Sequence, residues 1–579
     1  MTVTRTDDRP RQQTLRLWPG VVAVALQWLA WLVLPTFMPE ASIFGVIGGL
    51  LGGLAVGIWW VFFSRAPRFE RWGAAVLTIV ALAATPRVLH ESVATAGMGV
   101  LFFIYAIPVL SLALVVWAVA SRSLPDGPRR AALVATILLA CGGWALVRTG
   151  GVTGDSDSDF AWRWAVTPEQ RLLAVADDDP IAPSDSMAAV TEADWPGFRG
   201  PGRDGVVRGV KIETDWAVSP PVELWRRPIG PGWSSFAVGG DFLYTQEQRG
   251  ADEIVASYNV NTGEPVWRHR DAVRFWESNG GAGPRATPTL RDGRLYTFGA
   301  TGLLNALNAG DGSVIWSRNV ALDTGAEVPI WGFASSPLVV GDVVIVAAAS
   351  QLAGYDFATG EHRWSGEASR EGYSSPHLLT IDGVEQVLLM RGAGLTSVAP
   401  ADGTVLWRHP FPGAPIVQPA LTANGDILIA PGGPTGGIGT RRITVTHGSG
   451  GWTAAERWTS IRLKSYFSDF VVHKGSAYGF DGSILASMNL EHGERNWKGG
   501  RYGHGQLVLL PDQDVLLVVT EEGELVLVAA TPDQFTELAR FPALEGKTWN
   551  HPVLVGDIVV VRNGQEMAAF RLSLASERF

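Results

Sequence analysis

The chain has 579 residues, 47% of them hydrophobic, with a formal net charge of −10 and a single cysteine. That length implies more than one domain. The lone Cys141 excludes an intrachain disulfide, a Cys-x-x-Cys-His haem attachment and a cysteine-ligated zinc site, and the acidic balance argues against nucleic acid as a partner.

Charge is spread unevenly. Residues 1–150 carry 12 Arg against 6 Asp/Glu, whereas the remainder carries 34 basic and 50 acidic residues. In the first part, Trp18–Phe37, Ile43–Phe63, Met98–Ala120 and Ala131–Val147 are apolar runs almost free of charge. Each is near the ~20 residues that cross a bilayer. Trp72–Thr85 is shorter and stops at Pro86-Arg87. Together these runs predict a helical transmembrane domain of about five spans over residues 1–150, in contact with the lipid bilayer. Several spans, with no single short apolar core before a small-residue cleavage site, exclude a cleavable signal peptide. Arginines alternate between loops: Arg5, Arg9, Arg11 and Arg16 precede span one, Arg65, Arg68 and Arg71 follow span two, and Arg122, Arg129 and Arg130 follow span four. The other loops hold only Arg87 and Arg148. The positive-inside rule then predicts a multi-pass protein of the inner membrane with a cytoplasmic N-terminus. With five spans, the rest of the chain lies outside, in the periplasm of a Gram-negative cell.

Residues 151–193 read as an acidic linker, with clusters at Asp155–Asp159 and Asp177–Asp179 followed by Pro180 and Pro183. Within it, Phe160–Val175 has the pattern of a short amphipathic helix on the membrane surface; a disordered tether is the alternative.

From residue 194 an 11-residue pattern recurs: a small residue, any, Asn/Asp or small, three of any kind, Gly, three of any kind, Trp. Its copies are SYNVNTGEPVW, ALNAGDGSVIW, GYDFATGEHRW, SVAPADGTVLW and SMNLEHGERNW, ending at Trp267, Trp316, Trp364, Trp407 and Trp497. Trp225 and Trp458 end degraded copies, and Phe541 stands in for Trp in another. A period near 45 residues means one supersecondary unit repeated. In the best-formed unit, Ala286–Trp316, the runs TPTL, RLYTFGA, LLNALNA and VIW are separated by the turn strings RDG, TG and AGDG. Four hairpin-linked strands make one antiparallel sheet that cannot bury both faces alone. Stacking such sheets around an axis buries them and gives a β-propeller. In it the Trp fills the wedge between neighbouring blades and the Gly makes the turn. Eight strand groups start near Ser234, Thr287, Ser336, Ser375, Gln418, Asp469, Gly505 and Asn550. The last has three strands, and PVELWRR around Trp225 supplies its fourth, which closes the ring and removes an exposed edge. The expectation is an all-β eight-bladed propeller over 194–579; seven blades with one insertion is the alternative.

The repeat resembles the tryptophan-docking motif of the quinoprotein-like propellers, a family that includes the pyrroloquinoline quinone (PQQ) dehydrogenases and the BamB-type assembly lipoproteins. WPGFRGPGRDGVV (195–207) and KTWNHPVLVGDIVVVRNGQEMAAFRL (547–572) resemble the opening and closing strings of PQQ-like repeat proteins. The layout of five spans and then a propeller resembles membrane-bound quinoprotein glucose dehydrogenase. That resemblance implies PQQ with calcium as the cofactor. The departures are that the chain lacks the adjacent cysteines of methanol-type quinoproteins, its blade connections are short, and it has spans where BamB has a lipobox cysteine.

Residues just before the innermost strands converge at one end of a propeller's channel, and here they are rich in aromatic and hydrogen-bonding groups. Trp233, Trp331, His504, Trp549 and Asn550 are candidates to line a site for a flat, polar ligand. Arg285, Lys464 and Arg562 are candidates to hold its carboxylates. Asp469 is the candidate catalytic base, and Glu247 and Asn550 are candidate metal ligands, should the chain be a dehydrogenase. The competing reading is that the aromatics plug the channel, Asp469 caps a turn or pairs with Lys464, and His504 and His551 are core residues. No metal-binding motif occurs, and the glycine strings at 279–283 and 432–439 read as loops rather than phosphate cradles. Two functions remain open. One is a membrane-anchored periplasmic propeller that binds a protein or a small polar ligand as a scaffold. The other is a PQQ-dependent, quinone-coupled sugar or alcohol dehydrogenase.

Overall fold

The computed structural model describes residues 15–37, 42–154, 157–175, 193–368, 372–433 and 436–575. Asp155 and the acidic cluster at 177–179, with Pro180 and Pro183, lie outside the described residues. The chain divides into two compact units, Met1–Ala165 and Val166–Phe579.

In the first unit four helices are long and apolar enough to cross a membrane: Trp18–Phe37, Ile43–Phe63, Leu101–Ser123 and Asp126–Leu146. The weaker third run forms a helix, Arg68–Arg87, which turns through 118° into Glu91–Gly99. The break falls where Pro86 interrupts the helical pattern, as a missing N–H and a ring clash require. Gln27 shows how these helices hold together. It is fully buried, and its amide donates to the Gly49 carbonyl at 2.7 Å and to Ser111 Oγ at 3.4 Å. A Cβ on Gly52 would come within 2.5 Å of Gln27. A small residue therefore lets the backbones approach while one polar side chain bridges three helices. The end of this unit is a hairpin, Val147–Val152 with Ser158–Trp162. Phe160–Trp162 is thus strand rather than helix, because it finds a pairing partner that sequence pattern alone did not reveal. Helix Pro168–Val175 belongs to the second unit, where Glu169 forms an ion pair with Arg274 and accepts the Gly250 N–H.

The second unit contains eight four-stranded antiparallel sheets among the described residues. We number these blades in chain order by their inner-to-outer spans: 1, Ala237–Asp271; 2, Thr289–Asn319; 3, Leu338–Ser365; 4, His377–Pro410; 5, Ala420–Ser460; 6, Val471–Arg501; 7, Gln506–Pro542; and 8, Val553–Arg571. The outer strand of blade 8 is Val222–Pro228, paired antiparallel with Glu566–Arg571. An early strand therefore closes the ring over the last blade. Inner and middle strands are continuously buried, for example Val343–Ala348 and Val515–Val519, because each sheet is covered on both faces.

The repeat motif explains how blades lock. Its Asn or Asp accepts backbone N–H groups of the following turn, as Asn259 does from Asn261 and Thr262 and Asp356 from Ala358 and Thr359. Its Gly adopts positive φ, +70° at Gly263, +72° at Gly312, +68° at Gly360 and +70° at Gly403. The Trp of one blade then covers the Gly of the next. A Cβ on Gly312 would lie 2.4 Å from Trp267, and one on Gly360 would lie 2.5 Å from Trp316. Trp267 Nε1 also donates to the Ala309 carbonyl of the next blade at 3.0 Å, and Trp225 closes the ring the same way on Val260 at 2.8 Å. The glycine thus has two roles, turn former and docking floor. Blade 5 has the degraded copy, with a long hairpin from Thr440–Gly448 to Gly451–Ser460. Trp407 facing it turns instead to Gln386 Oε1 of its own blade at 2.7 Å.

Gly312→Val should lower propeller stability by about 3 kcal/mol, from left-handed strain plus overpacking against Trp267. Gly341→Ala, at φ +56° with no neighbour in reach, should cost only about 1 kcal/mol. Thermal or denaturant unfolding of the two variants separates the docking contact from the backbone term.

Candidate functional site

The inner strands bring one residue from each blade to the same end of the channel. These lead-in residues form a ring of hydrogen bonds. Ser235 N donates to Thr287 Oγ1 at 3.0 Å, Thr287 N to Ser336 Oγ at 3.0 Å, and Ser336 N to Ser375 Oγ at 2.9 Å. Ser375 N donates to Gln418 Oε1 at 3.2 Å, Gln418 N to Asp469 Oδ1 at 2.8 Å, and Asp469 N to Gln506 Oε1 at 3.2 Å. Ser235 Oγ returns to the His551 carbonyl of blade 8 at 2.7 Å. Thr287, Ser336, Ser375, Gln418, Asp469 and Gln506 therefore each accept a buried N–H of the preceding blade, while Ser235 donates to a blade 8 carbonyl, roles that buried polar groups must find somewhere. This ring was not foreseen, yet it has a sequence signal. A polar residue precedes Pro at Thr287, Ser336, Ser375, Gln418 and His551, the same place in five repeats. The proline holds its predecessor extended and starts the strand.

The segment 195–206 runs across the centre of the channel. Trp195 bridges to Val238 of blade 1 and Val206 to Leu509 of blade 7. Gly197 passes so close to the Pro288 carbonyl that a Cβ would lie 2.5 Å from it. Arg199, 2% exposed, donates to the Phe470 carbonyl of blade 6 at 2.8 Å and to the Asp204 carbonyl at 3.1 Å. Arg203 donates to the Ser336 and Pro337 carbonyls of blade 3 at 3.1 and 2.8 Å. Phe198 meets the His551 ring edge to face at 5.1 Å. Arg199 and Arg203 were missed as site residues; two arginines four apart in a glycine-rich string were the available signal.

Asp469 sits at the meeting point of ring and plug. Its Oδ2 lies 3.5 Å from Arg199 Nε and 3.1 Å from His551 Nε2. Burial alone would raise this carboxyl, but the Arg199 charge and the hydrogen bonds from His551 and Gln418 outweigh it and hold it below the ordinary range. A base so held is a poor proton acceptor. Lys464 is not its partner; it pairs at 3.6 Å with Asp481, which also holds Arg495 and Lys498.

The aromatic lead-in residues gather into two groups. Trp233 and Trp549 lie 4.7 Å apart, Phe467 meets Trp549 at 5.0 Å, and the His504 ring stacks on Phe467 at 4.9 Å. Lys547 Nζ lies 4.3 Å from the Trp549 ring centroid. Trp331 and Tyr373 form the second group at 4.8 Å. Arg285 ties the loop at 276–282 to this group, reaching Glu277 at 3.2 Å, the Gly281 carbonyl at 2.7 Å and the Trp331 carbonyl at 3.2 Å. Asn550 donates to the Ser234 carbonyl at 2.7 Å. Arg562 is fully buried and donates to Thr245 Oγ1, the Gln246 carbonyl and the Gly230 carbonyl at 2.7, 2.8 and 3.0 Å. Glu247, also fully buried, accepts from Gly230 N, from Tyr258 at 3.0 Å and from Arg249 at 3.0 Å. Trp233, Trp331, His504, Trp549 and Asn550 thus share the channel mouth, whereas Arg562 and Glu247 brace the blade 8 to blade 1 junction and Lys464 points to the blade 6 cluster.

Quinone and calcium would need a stacking surface, a carboxylate clamp and a set of oxygen ligands. Trp233 and Trp549 face each other too closely to take a flat ring between them, and Arg285, Arg562 and Glu247 are each engaged internally. Among the described residues no group of three or more His, Cys, Asp or Glu side chains could hold a metal ion. The residues present do not fit the pair.

With this geometry in view, the comparisons fall into place. The family model described as outer membrane protein assembly factor BamB matches residues 251–499. The match covers under half of the chain, within the repeat region. The assembly factor BamB of Shewanella oneidensis is 34% identical over 113 residues, 19% of this chain. The match spans 26% of that relative's length. Among solved structures, BamB from Moraxella catarrhalis is similar at 15% identity and TM-score 0.45, covering 62% of this chain and 99% of that one. Quinohemoprotein alcohol dehydrogenase from Comamonas testosteroni is similar at 14% identity and TM-score 0.48, covering 71% and 85%.

One titratable group in the matched stretch stands out. Glu253, 3% exposed, begins the third strand of blade 1 and accepts the Ala300 N–H of blade 2 at 3.3 Å. Burial pushes its carboxyl up to about 7; the Ala300 hydrogen bond opposes this and Asp271 adds to it. The folded state therefore holds a proton that the unfolded chain releases near pH 4.5, so this group's stabilisation is full below that pH and is lost as pH rises towards 7. Unfolding midpoints should fall between pH 5 and pH 8, by up to ~3 kcal/mol from this group, and Glu253→Gln should flatten that part of the profile. An unchanged profile in the variant would assign the dependence elsewhere.

Proposed function

We propose that this chain is a membrane-anchored propeller that binds a protein partner at its channel mouth and serves as a scaffold rather than as an oxidoreductase. One observation carries the reading. The charged groups able to do chemistry at the mouth are paired within the fold, while Trp233, Trp331, Tyr373, Tyr466, Phe467 and Trp549 stay half-exposed around it. Large aromatic anchors of this kind are the side chains that supply most binding energy at protein interfaces. The matched stretch agrees with it, since the matched family and the Shewanella relative are described as assembly factors.

The helices long and apolar enough to cross a membrane supply the anchor. Under the positive-inside rule the arginine distribution puts the N-terminus in the cytoplasm. Counting the bent third helix as a span then puts the propeller outside, in the inner membrane's periplasmic space. The domain limits that follow are 1–150 for the membrane part, 151–193 for the linker and 194–579 for the propeller.

The test pairs two assays on detergent-solubilised protein. PQQ should not bind at micromolar concentration with or without calcium, and dye-linked oxidation of sugars and alcohols should stay at background. A photo-crosslinker at Trp331 or Trp549 in cells should capture a discrete envelope protein, and Trp331→Ala or Trp549→Ala should weaken that complex about 10- to 30-fold. Calcium-dependent quinone binding with turnover, both lost in Asp469→Ala, would overturn the scaffold in favour of a PQQ-dependent, quinone-coupled dehydrogenase.

A further inference from the structure

We infer that the propeller channel holds a small oxyanion or carboxylate between Arg199 and Arg203, at a site independent of the aromatic mouth. The plug segment carries both guanidiniums into the channel, one anchored on blade 6 and the other on blade 3. Their hydrogen bonds go to carbonyl oxygens, which satisfy N–H groups but leave the charge uncompensated. Among the ion pairs of the described residues one carboxylate meets this pair of cations: Asp469, 3.5 Å from Arg199 Nε. Asp204, on the same segment, spends its carboxylate on the exposed Arg208 at 2.8 Å and on the Val206 N–H. The nearby imidazoles add no negative charge.

Donors are also left over. Arg199 Nη1 and Arg203 Nε are buried without a hydrogen-bond acceptor, and Arg199 Nε has only the Asp469 carboxylate at 3.5 Å. Arg199 is 98% buried by its 2% exposure, so bulk water does not screen it. A buried, unpaired charge costs several kcal/mol, and planar guanidiniums are matched by two-oxygen anions. The local field agrees. Burial, with Arg203 and Arg199 next, pushes the buried His377 imidazole down to about 3. Burial followed by the Arg199 charge draws Arg203 down to about 9, which still leaves it cationic at neutral pH. The site is therefore positive and donor-rich, closed to solvent at Arg199 and partly open at Arg203. An anion bound there would tie the plug to blades 3 and 6 at once.

The ligand chemistry has two sources, a free phosphate-type ion or the carboxylate of an organic acid or peptide. The experiment uses the full chain in detergent, with phosphate and acetate titrated at constant ionic strength against a chloride background. Saturable binding to the folded state alone should raise the unfolding midpoint by roughly 3 °C at a hundredfold excess over the dissociation constant. Arg203→Gln should abolish that rise and Arg203→Lys should retain part of it. A response to phosphate alone identifies the free ion, and a response to acetate alone identifies a carboxylate ligand. If Arg203→Gln does not fold, selenate-soaked crystals of the unmodified protein decide, through an anomalous peak within hydrogen-bonding distance of Arg199 Nη1. A midpoint indifferent to both anions, the same rise in Arg203→Gln, or selenate absent from that position would overturn the site.

Discussion

A four-stranded sheet with two apolar faces cannot exist alone in water, and every other feature of this propeller follows from that constraint. Each blade needs a neighbour on either side, so the array must close on itself. Closure here depends on Val222–Pro228 reaching the edge of blade 8 before blade 1 begins. The motif Trp and Gly set the spacing between blades, because the ring of one sheet lies directly on the backbone of the next. The packing is directional, and a side chain on the Gly would hold adjacent blades apart.

Closing the ring creates a second problem at its centre. Eight inner strands start around one axis, and their first amides have no ladder partner. The chain answers with polar side chains that, from blade 2 to blade 7, each accept an amide of the preceding blade, and with a plug that crosses the channel. Asp469 takes part in both. A carboxylate placed so is a structural keystone: it caps Gln418, receives Arg199 and meets His551. The same contacts hold its carboxyl below the ordinary range, which weakens it as a proton acceptor.

The membrane unit meets the opposite solvent with the opposite rule. Its outward faces are largely apolar, with Leu26, Leu51 and Leu139 among the exposed side chains, and Gln27 and Glu70 turn inward. Gln27 bridges helices, and Glu70, buried, pairs with Arg130 at 2.9 Å and Arg129 at 3.4 Å. Both groups fasten helices to one another.

Period, blade count and ring closure were readable in the sequence, because strand and turn chemistry are local. Asn-x-x-x-Gly-x-x-x-Trp writes a turn and a docking ring into nine consecutive residues, and Trp225 announced its strand before the first full repeat. The apolar runs were readable for the same reason, although the sharp turn after Arg87 was visible only as a proline. The hydrogen-bonded ring, the plug and the partners of Asp469 were decided by tertiary structure. Arg199 and Phe470 are 271 positions apart, and no local pattern specifies which carbonyl a guanidinium will reach across a closed ring. The sequence determined which residues could carry charge to the channel; only the fold determined that most of that charge is spent on holding the channel together.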